Sequence, residues 1–348
     1  MNKKRSAIII VNPISGTQNK KNVTEKINKY LDKDKYDYRI IPTQHAGHAT
    51  EIAAQAVAEE IDLVVAVGGD GTINETARAL VHTQTTLGII PCGSGNGLAR
   101  HLQIPMDVKK AIDIINNGTI EQIDYGRIND IPYFCTCGVG FDAFISMKFA
   151  QAGKRGIATY IENTLREGLR YEPETYEIEN EDGTMHHKAF LITCANASQY
   201  GNNFYIAPNA SLCDGLMDVI IMEPFTMLDA PAISFQMMNG TLDQNSKIKT
   251  LRCKRLRIHR SKPGVIHYDG DPVMAEADLT VEIIEKGLNV IIGKFDEKNS
   301  QVGFNIMQSV LDIFNELKPI SEAFVEEITT RNKRLLVLNK ELLRRLRK

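Results

Sequence analysis

Apolar residues in the first third of the chain fall into four short runs, separated by stretches with helical spacing. The runs cover residues 7–11, 38–41, 63–67 and 87–90. Each run has the length of a buried strand, and between the runs apolar side chains recur every three or four residues. This alternation of strands and helices predicts a parallel sheet covered by helices on both faces.

After residue 124 the pattern changes to short strands with tight turns. Predicted strands are residues 176–179, 188–195, 216–222, 251–258, 265–268, 279–284 and 288–292. Asp182-Gly183 is a typical hairpin turn, and helical spacing interrupts the strands near residues 143–150 and 157–169. This region is therefore predicted to be a mostly antiparallel β domain with a helical excursion.

The 348 residues suffice for two domains and a tail. We expect an α/β domain over residues 1–124, a β-rich domain over residues 125–293 and a helical tail over residues 294–348. The tail pattern predicts helices at residues 304–317 and 320–348, broken at Pro319.

Three of the four predicted strands of the first domain end in loops of small residues. The loops read Asn12-Pro13-Ile14-Ser15-Gly16, Gly68-Gly69-Asp70-Gly71-Thr72-Ile73-Asn74-Glu75 and Pro91-Cys92-Gly93-Ser94-Gly95-Asn96-Gly97. Because the carboxyl ends of parallel strands share one edge of a sheet, the loops are expected to converge. Glycine loops leading into helices bind phosphates through backbone N–H groups, so a nucleotide site is predicted here.

Two details of the second loop refine this prediction. Asp70 can hold a magnesium ion or its water shell against the bound phosphate. Thr72 followed by Glu75 fits a capping box, which predicts a helix beginning there with its N–H groups aimed at the glycines. Each loop taken singly also fits an ordinary turn. The set is neither a Walker A motif nor a dinucleotide fingerprint.

Charge and cysteine content exclude several classes of protein. A net charge of −2 gives no reason to expect nucleic acid as a partner. The six cysteines lack paired spacing, which favours reduced thiols, and no apolar run is long enough for a signal peptide or a membrane span. A cytoplasmic protein is expected. His45 and His48 are interpreted as solvated or capping, because the sequence places no third metal ligand beside them.

The three loop motifs, in this order and spacing, resemble the lipid kinases that include bacterial diacylglycerol kinases and eukaryotic sphingosine and ceramide kinases. The resemblance extends to about residue 293. It implies ATP-dependent phosphorylation of a lipid hydroxyl by a two-domain protein. The first domain would be a three-layer α/β domain like that of NAD kinases and phosphofructokinases, followed by a β-sandwich, with the nucleotide in the cleft between them.

The resemblance also implies roles for individual residues. Nucleotide-binding positions would be Asn12, Ser15, Gly16, Gly68, Gly69, Gly71, Thr72, Gly93, Ser94, Gly95 and Asn96. Asp70 would organise the catalytic magnesium, and Asp269 would be the general base. Asp142 would contact the polar head of the substrate, and Asp214 would hold a structural magnesium.

Two residues depart from the family pattern. Gly97 replaces the aspartate usual in bacterial diacylglycerol kinases, and Asp271, expected in the metal network, replaces a glutamate. The acceptor therefore stays open between a diacylglycerol and a sphingoid-type base. An NAD kinase-like enzyme and a catalytically silent lipid-binding protein are the alternative functions.

The tail carries its own charge. Residues 329–348 hold eight Lys/Arg and one Glu, a charge of +7, and the remainder carries −9. A cationic amphipathic helix suits an anionic membrane surface, where a lipid substrate is found, so peripheral membrane association is expected. The alternative is a helix packed on its own domain or on another subunit, as in a homodimer.

Overall fold

The computed structural model describes residues 4–14, 20–152, 171–226 and 229–293. The predicted tail helices, the helical pattern at residues 157–169, and the candidate residues Ser15 and Gly16 lie outside the described residues.

The first domain contains four parallel strands in the order β2-β1-β3-β4. They are β1 (Arg5–Val11), β2 (Tyr36–Pro42), β3 (Leu63–Gly68) and β4 (Thr86–Pro91). The helices are α1 (Lys20–Tyr30), α2 (His48–Ala58), α3 (Asp70–Leu80), α4 (Gly97–His101) and α5 (Val108–Asn117). The predicted parallel α/β organisation is confirmed.

Burial explains why these strands lack an alternating pattern. Every residue of β3 and β4 is buried, as expected for central parallel strands covered on both faces. Helix α1 packs with α5, and α2 packs with α3. Right-handed crossovers from β1 to β2 and from β2 to β3 place α1 and α2 on opposite faces, which gives three layers.

The second region is mostly antiparallel β, as predicted. Its strands are β5 (Thr119–Ile128), β6 (Ile131–Tyr133), β7 (Thr136–Gly140), β8 (Glu174–Asn180), β9 (Gly183–Ala189), β10 (Leu191–Ala195), β11 (Gln199–Gly201), β12 (Phe204–Tyr205), β13 (Met217–Met222), β14 (Ile248–Cys253), β15 (Arg255–Arg260), β16 (Gly264–Tyr268), β17 (Asp271–Ala275) and β18 (Asp278–Ile292). Within the described part of this region, the α-helices α6 (Phe141–Ala152) and α7 (Ala230–Asn239) interrupt the strands.

Two sheets form the sandwich. One is six-stranded, in the order β14-β13-β10-β7-β16-β17. Its inner face packs against β5, β8, β15 and β18 of the large sheet around a buried apolar core that includes Val139, Ile192, Ile258 and Val281. Two predicted strands are each divided, at Phe190 and at Lys254, because the chain passes there from one sheet to the other.

Strand β18 joins the two domains. The sequence pattern predicts two strands here, whereas the structure has one strand with a register shift between Ile284 and Leu288. Its last part pairs parallel to β4, with Val290 opposite Leu87. The sandwich is therefore hydrogen-bonded directly to the parallel sheet.

Candidate active site

The first two loops are tied together by side chains at the edge of the parallel sheet. Val11 lies opposite Val67 in the paired strands, so the loops after β1 and β3 begin side by side. Asn12 donates from Nδ2 to Thr72 Oγ1 at 3.0 Å, and its Oδ1 accepts from Ile14 N at 3.1 Å. Asn12 thus fixes both loops, and its place along the nucleotide stays a prediction.

The second and third loops touch through their backbones. Cys92 N donates to the Gly68 carbonyl at 2.7 Å. A Cβ on Gly93 would lie 2.6 Å from the Gly69 Cα, and real Cβ atoms do not approach backbone this closely. Glycine is therefore required at this contact. Gly71 and Ser94, two further predicted phosphate-binding residues, are exposed at this edge.

Asn96 shapes the third loop. Its backbone is in the left-handed region with φ of 54°, a conformation in which asparagine is enriched among non-glycine residues. Its side chain closes the loop on Gly93, accepting from the N–H at 3.0 Å and donating to the carbonyl at 2.7 Å. Helix α4 begins at the next residue, Gly97.

Asp70 is bound by the third loop. One carboxylate oxygen accepts from Asn96 N at 2.7 Å, and the other accepts from Gly97 N at 2.6 Å. Burial raises the pKa of Asp70, while these N–H groups and the charge of Arg100 oppose the rise. The carboxylate therefore stabilises the loop expected to carry phosphate.

The predicted capping box is wrong. Helix α3 begins at Asp70 after Gly69, which gives no side-chain cap, and Thr72 lies inside the helix. The Glu75 carboxylate instead accepts from Gly47 N at 2.9 Å and Ala49 N at 3.2 Å, at the start of α2. Glu75 therefore caps a neighbouring helix, and the start of α3 has no side chain bonded across it.

Asp269 lies in the turn between β16 and β17 with φ of 51°. Its carboxylate accepts three backbone N–H groups, from Phe134 at 2.8 Å, Cys135 at 2.7 Å and Thr136 at 3.1 Å. Burial raises the pKa of Asp269 to about 6 although these bonds favour the ionised form. Asp269 therefore fixes the turn to the start of β7 and to the link that precedes it.

Asp271, two residues later, is different. Its side chain is 55% exposed, and its carboxylate accepts no hydrogen bond from the described residues. Arg78 on α3 approaches it, with 3.8 Å between Nη2 and Oδ2. Burial raises the pKa of Asp271, and Arg78 opposes the rise. Asp271 is thus an available carboxylate facing the first domain.

Asp142 is the centre of a buried network rather than an open carboxylate. Its Oδ2 accepts from Thr193 Oγ1 at 2.8 Å and Tyr200 Oη at 3.2 Å, and lies 2.9 Å from His267 Nε2. Its Oδ1 accepts from Ala143 N at 2.8 Å. The predicted contact of Asp142 with the substrate head stays a prediction, since neither oxygen is free of partners.

Asp214 already has a cationic partner. The Arg252 guanidinium donates to its carboxylate, and Leu216 N donates to the other carboxylate oxygen at 3.1 Å. Arg252 Nε also lies 3.5 Å from Asp218 Oδ2. The guanidinium thus supplies positive charge at Asp214 in this structure, and the structural magnesium expected there stays a prediction.

The sequence argument against a third ligand beside the two histidines is also wrong. His45, His48 and Glu51 place one donor atom each within 4.8 Å of one another. His48 Nδ1, however, accepts from Gln44 N at 3.0 Å. All three side chains are at least partly exposed, so the arrangement remains consistent with a solvated loop.

A hairpin of the second domain covers the third loop. The hairpin comprises β11 and β12, and its Asn202 N donates to the Gly95 carbonyl at 2.9 Å. Arg100 donates to the same carbonyl from Nε at 2.9 Å and to Asn203 Oδ1 from Nη1 at 3.3 Å. The third glycine loop is therefore held against the second domain.

Known proteins share this arrangement along most of the chain. Residues 6–128 match the family model of the diacylglycerol kinase catalytic domain, and residues 135–292 match that of the YegS C-terminal NAD kinase β-sandwich-like domain. The chain belongs to the diacylglycerol kinase family of lipid kinases. The two matches cover well over half of the sequence, and the fold described above agrees with both.

Individual relatives support the assignment. A diacylglycerol kinase of Bacillus subtilis is 31% identical over 281 residues, which cover 77% of this chain and 90% of the relative. A diacylglycerol kinase of Mycobacterium tuberculosis is 32% identical over 66% of this chain and 78% of its own length. The crystal structure of a Bacillus anthracis diacylglycerol kinase aligns with a TM-score of 0.67 at 19% identity, covering 84% of this chain and 99% of that structure, which shows the shared fold.

Sequence reasoning missed three contributors to the site: Arg78, Glu75 as a cap for α2, and the hairpin on Gly95. Their contacts join segments far apart in the chain, so no local pattern announces them. A signal existed only for Arg78, a charged residue in the middle of an otherwise small and apolar helix turn.

None of the helices in the described residues combines the length and apolar character that a bilayer span requires.

Proposed function

We propose that this protein transfers the γ-phosphate of Mg-ATP to the hydroxyl of a membrane lipid, a diacylglycerol or a sphingoid-type base. The observation that carries the proposal is that a glycine loop suited to phosphate and a carboxylate suited to accept a proton lie at one cleft. The third glycine loop is bound to Asp70 at 2.7 and 2.6 Å, and the Asp271 carboxylate, which accepts no hydrogen bond among the described residues, lies 3.8 Å from Arg78 on the same helix as Asp70. A phosphate cradle and a proton acceptor are the two parts that this reaction needs.

The loops supply the nucleotide site. Backbone N–H groups of Gly69, Gly71 and Gly95 are available to phosphate oxygens, because no side chain grows from these residues to cover them. Helix α3 adds the positive end of its dipole at the same place, since no side chain caps its first turn. Asn12 would orient the nucleotide from the neighbouring loop.

The donor set on the first domain fits magnesium. Each Asp70 oxygen accepts one N–H group and keeps a lone pair, and a carboxylate oxygen is a hard donor of the kind that Mg²⁺ prefers with much of its water shell retained. When bound, the ion supplies positive charge at the β- and γ-phosphate oxygens. We assign this role to Asp70 alone, since Asp214 is paired with Arg252.

Two carboxylates of the β16–β17 turn compete for the role of base. Asp269, predicted from the family resemblance, has both oxygens engaged by backbone N–H groups. Neither oxygen of Asp271 accepts a hydrogen bond among the described residues, its side chain is 55% exposed, and its partner Arg78 lies 3.8 Å from Oδ2. We therefore infer that Asp271 accepts the proton and that Asp269 positions the turn.

The transfer exchanges one bond to the γ-phosphorus for another. The lipid hydroxyl oxygen forms a bond to the γ-phosphorus, and its proton passes to the Asp271 carboxylate. The bond between the γ-phosphorus and the bridging oxygen breaks, and its electron pair leaves on ADP. The backbone N–H groups of the glycine loops stabilise the negative charge on the phosphoryl oxygens throughout the transfer.

The test is an assay with γ-labelled ATP and the purified full chain, presented with vesicles containing diacylglycerol, a sphingoid base or ceramide, and separately with NAD. We expect label in one lipid class, dependent on magnesium and abolished by chelation. The assay would contradict the proposal by labelling NAD alone, which indicates an NAD kinase-like enzyme. Vesicle binding without labelling of any lipid would indicate a silent lipid-binding protein.

A catalytically competent chain also has to reach its lipid. The basic tail, residues 329–348, is the segment we propose for the membrane surface. Sedimentation with anionic and with neutral vesicles compares the full chain with a variant in which the tail arginines are replaced by glutamine. Equal binding of the two proteins to anionic vesicles would exclude this role.

A further inference from the structure

Helix α3 carries a line of polar side chains that runs away from the glycine turn. Asp70, Asn74 and Arg78 are spaced four residues apart, so each lies about one turn from the next on the same side of the helix. Side chains on a helix lean towards its N-terminus, which here is the phosphate end. The hydrogen bonds from the third loop explain why a carboxylate is present at Asp70. No comparable bonds explain the polar side chains of the other two residues.

Asn74 and Arg78 present buried donors for which the described residues offer no hydrogen-bond acceptor. Asn74 is 2% exposed, and its Nδ2 has no hydrogen-bond partner among those residues. The Arg78 side chain is 22% exposed, but its Nε and Nη2 atoms are buried and likewise have no hydrogen-bond partner there. Buried N–H groups are nearly always paired in folded proteins, and leaving them unpaired is costly, above all on a charged group. An acceptor is therefore expected when the site is filled.

The surroundings of Arg78 indicate which kind of acceptor its guanidinium can bind. The face of its guanidinium lies on the Tyr268 ring, with 4.6 Å from Cζ to the ring centroid, so the group is held flat and its edge remains available. The nearest carboxylate oxygen, on Asp271, is 3.8 Å from Nη2, beyond hydrogen-bond distance. The edge of a guanidinium matches two oxygens of a phosphoryl group.

We propose that Arg78, assisted by Asn74, binds the phosphoryl group while it is being transferred. This inference rests on the proposed kinase function and names a residue that acts within it. Arg78 lies beside Asp271, the group that receives the proton, so its charge is located where the lipid oxygen, the phosphorus and the carboxylate meet. Donors fixed at that place stabilise the transition state more than the bound substrate.

The decisive measurement compares nucleotide complexes instead of activity alone. Calorimetric titrations with Mg-ADP, and with Mg-ADP plus aluminium fluoride as a mimic of the transferring phosphoryl group, use the wild type, Arg78→Met, Arg78→Lys and Asn74→Ala. We expect the wild type to bind the mimic about 100-fold more tightly than Mg-ADP. Arg78→Met should lose most of that gain, Arg78→Lys part of it, and all variants should keep their affinity for Mg-ADP within about threefold.

Activity gives the second readout. The kcat of Arg78→Met should fall about 100-fold to 1,000-fold, the usual cost of removing a fixed donor at the transferring group. The matched control is Arg39→Met, which removes an arginine that is 52% exposed on β2 and paired with Glu59, and should change neither value. Unchanged tightening by aluminium fluoride in Arg78→Met would overturn the inference, as would a kcat within threefold of the wild type.

Misfolding of a variant and inactivity of the wild type have distinct consequences. If Arg78→Met does not fold by circular dichroism, Arg78→Lys and Asn74→Ala carry the test, and wild-type tightening in both would overturn the inference. A wild type that phosphorylates lipid but does not prefer the mimic also overturns it. A wild type that phosphorylates no lipid refutes the proposed function instead, so the two failures are distinguishable.

Discussion

The glycine loops of the first domain and the β16–β17 turn of the second solve one problem in different ways. Each fixes a carboxylate with backbone N–H groups. Asp70 receives donors from residues 26 and 27 positions later, whereas Asp269 receives donors from residues 133 to 135 positions earlier. The loops then offer bare backbone to a ligand, while the turn offers side chains. Firmly bound carboxylates build both regions, and the groups left unpaired are the ones available for chemistry.

The largest effect expected from this comparison is at Asp271. Asp271→Asn removes the proton acceptor while leaving the turn intact, so kcat should fall about 100-fold to 10,000-fold with no loss of thermal stability. Lipid phosphorylation with labelled ATP and differential scanning calorimetry measure the two quantities. Measuring both quantities is informative because the Asp271 carboxylate accepts no hydrogen bond from the described residues, so its loss should not weaken the fold.

Asp269→Asn provides the contrast at the other carboxylate. Its amide cannot accept from all three N–H groups, so the free energy of unfolding should fall by about 2 kcal/mol. Full stability together with complete loss of activity in Asp269→Asn, and near wild-type activity in Asp271→Asn, would return the role of base to Asp269.

A smaller effect is expected where the two glycine loops meet. Gly93→Ala would place a Cβ 2.6 Å from the Gly69 Cα, and the loops would have to separate, at a cost of about 1–3 kcal/mol of stability. Gly71→Ala is the matched control for stability, because a Cβ at that position would have no atom within 4 Å and a helical Ala is favoured over Gly by up to about 1 kcal/mol. Urea denaturation compares them. Equal midpoints for the two variants would mean that the loops do not need their close contact.

The sequence predicts those parts of the molecule whose contacts are local and not those that join distant segments. The parallel domain and its three loops are predictable, because strand, loop and helix follow one another within each short motif. The placement of Asp70 beside Asn96 follows from two adjacent strands. Nothing local predicts that Glu75 caps α2 or that Arg252 pairs with Asp214, since those contacts depend on how distant segments pack.

The sandwich is predictable in type and not in detail. Period-two patterns identify its strands, but they do not show where the chain changes sheet, at Phe190 and Lys254, or that β18 continues past Lys286. The assignment of Asp269 as base comes from motif resemblance. Its three N–H partners, two between β6 and β7 and one on β7, are visible only in the folded chain.

The contact between the two regions should also depend on pH. Burial lowers the pKa of His101 to about 4, and its Nδ1 accepts from Ser198 N at 3.1 Å, which requires the neutral ring. The unfolded chain therefore binds the extra proton between about pH 4 and 6.5, so stability should rise with pH across that window and be complete above it. Midpoint denaturation curves from pH 4 to 7 should be flatter in His101→Gln. An identical slope in both proteins would exclude His101 as the source.

The smallest expected effect separates the predicted capping box from the observed cap. Glu75→Gln replaces the charged acceptor of Gly47 N and Ala49 N, so unfolding should become easier by about 1 kcal/mol, the usual worth of a helix cap. The location of the change is more telling than its size. Amide hydrogen exchange should accelerate in the first turn of α2, near residues 47–50, and stay unchanged in the first turn of α3, because Glu75 bonds across the gap between the helices. Faster exchange confined to residues 70–73 would instead restore the local capping box and weaken the argument that the start of α3 is left open for phosphate.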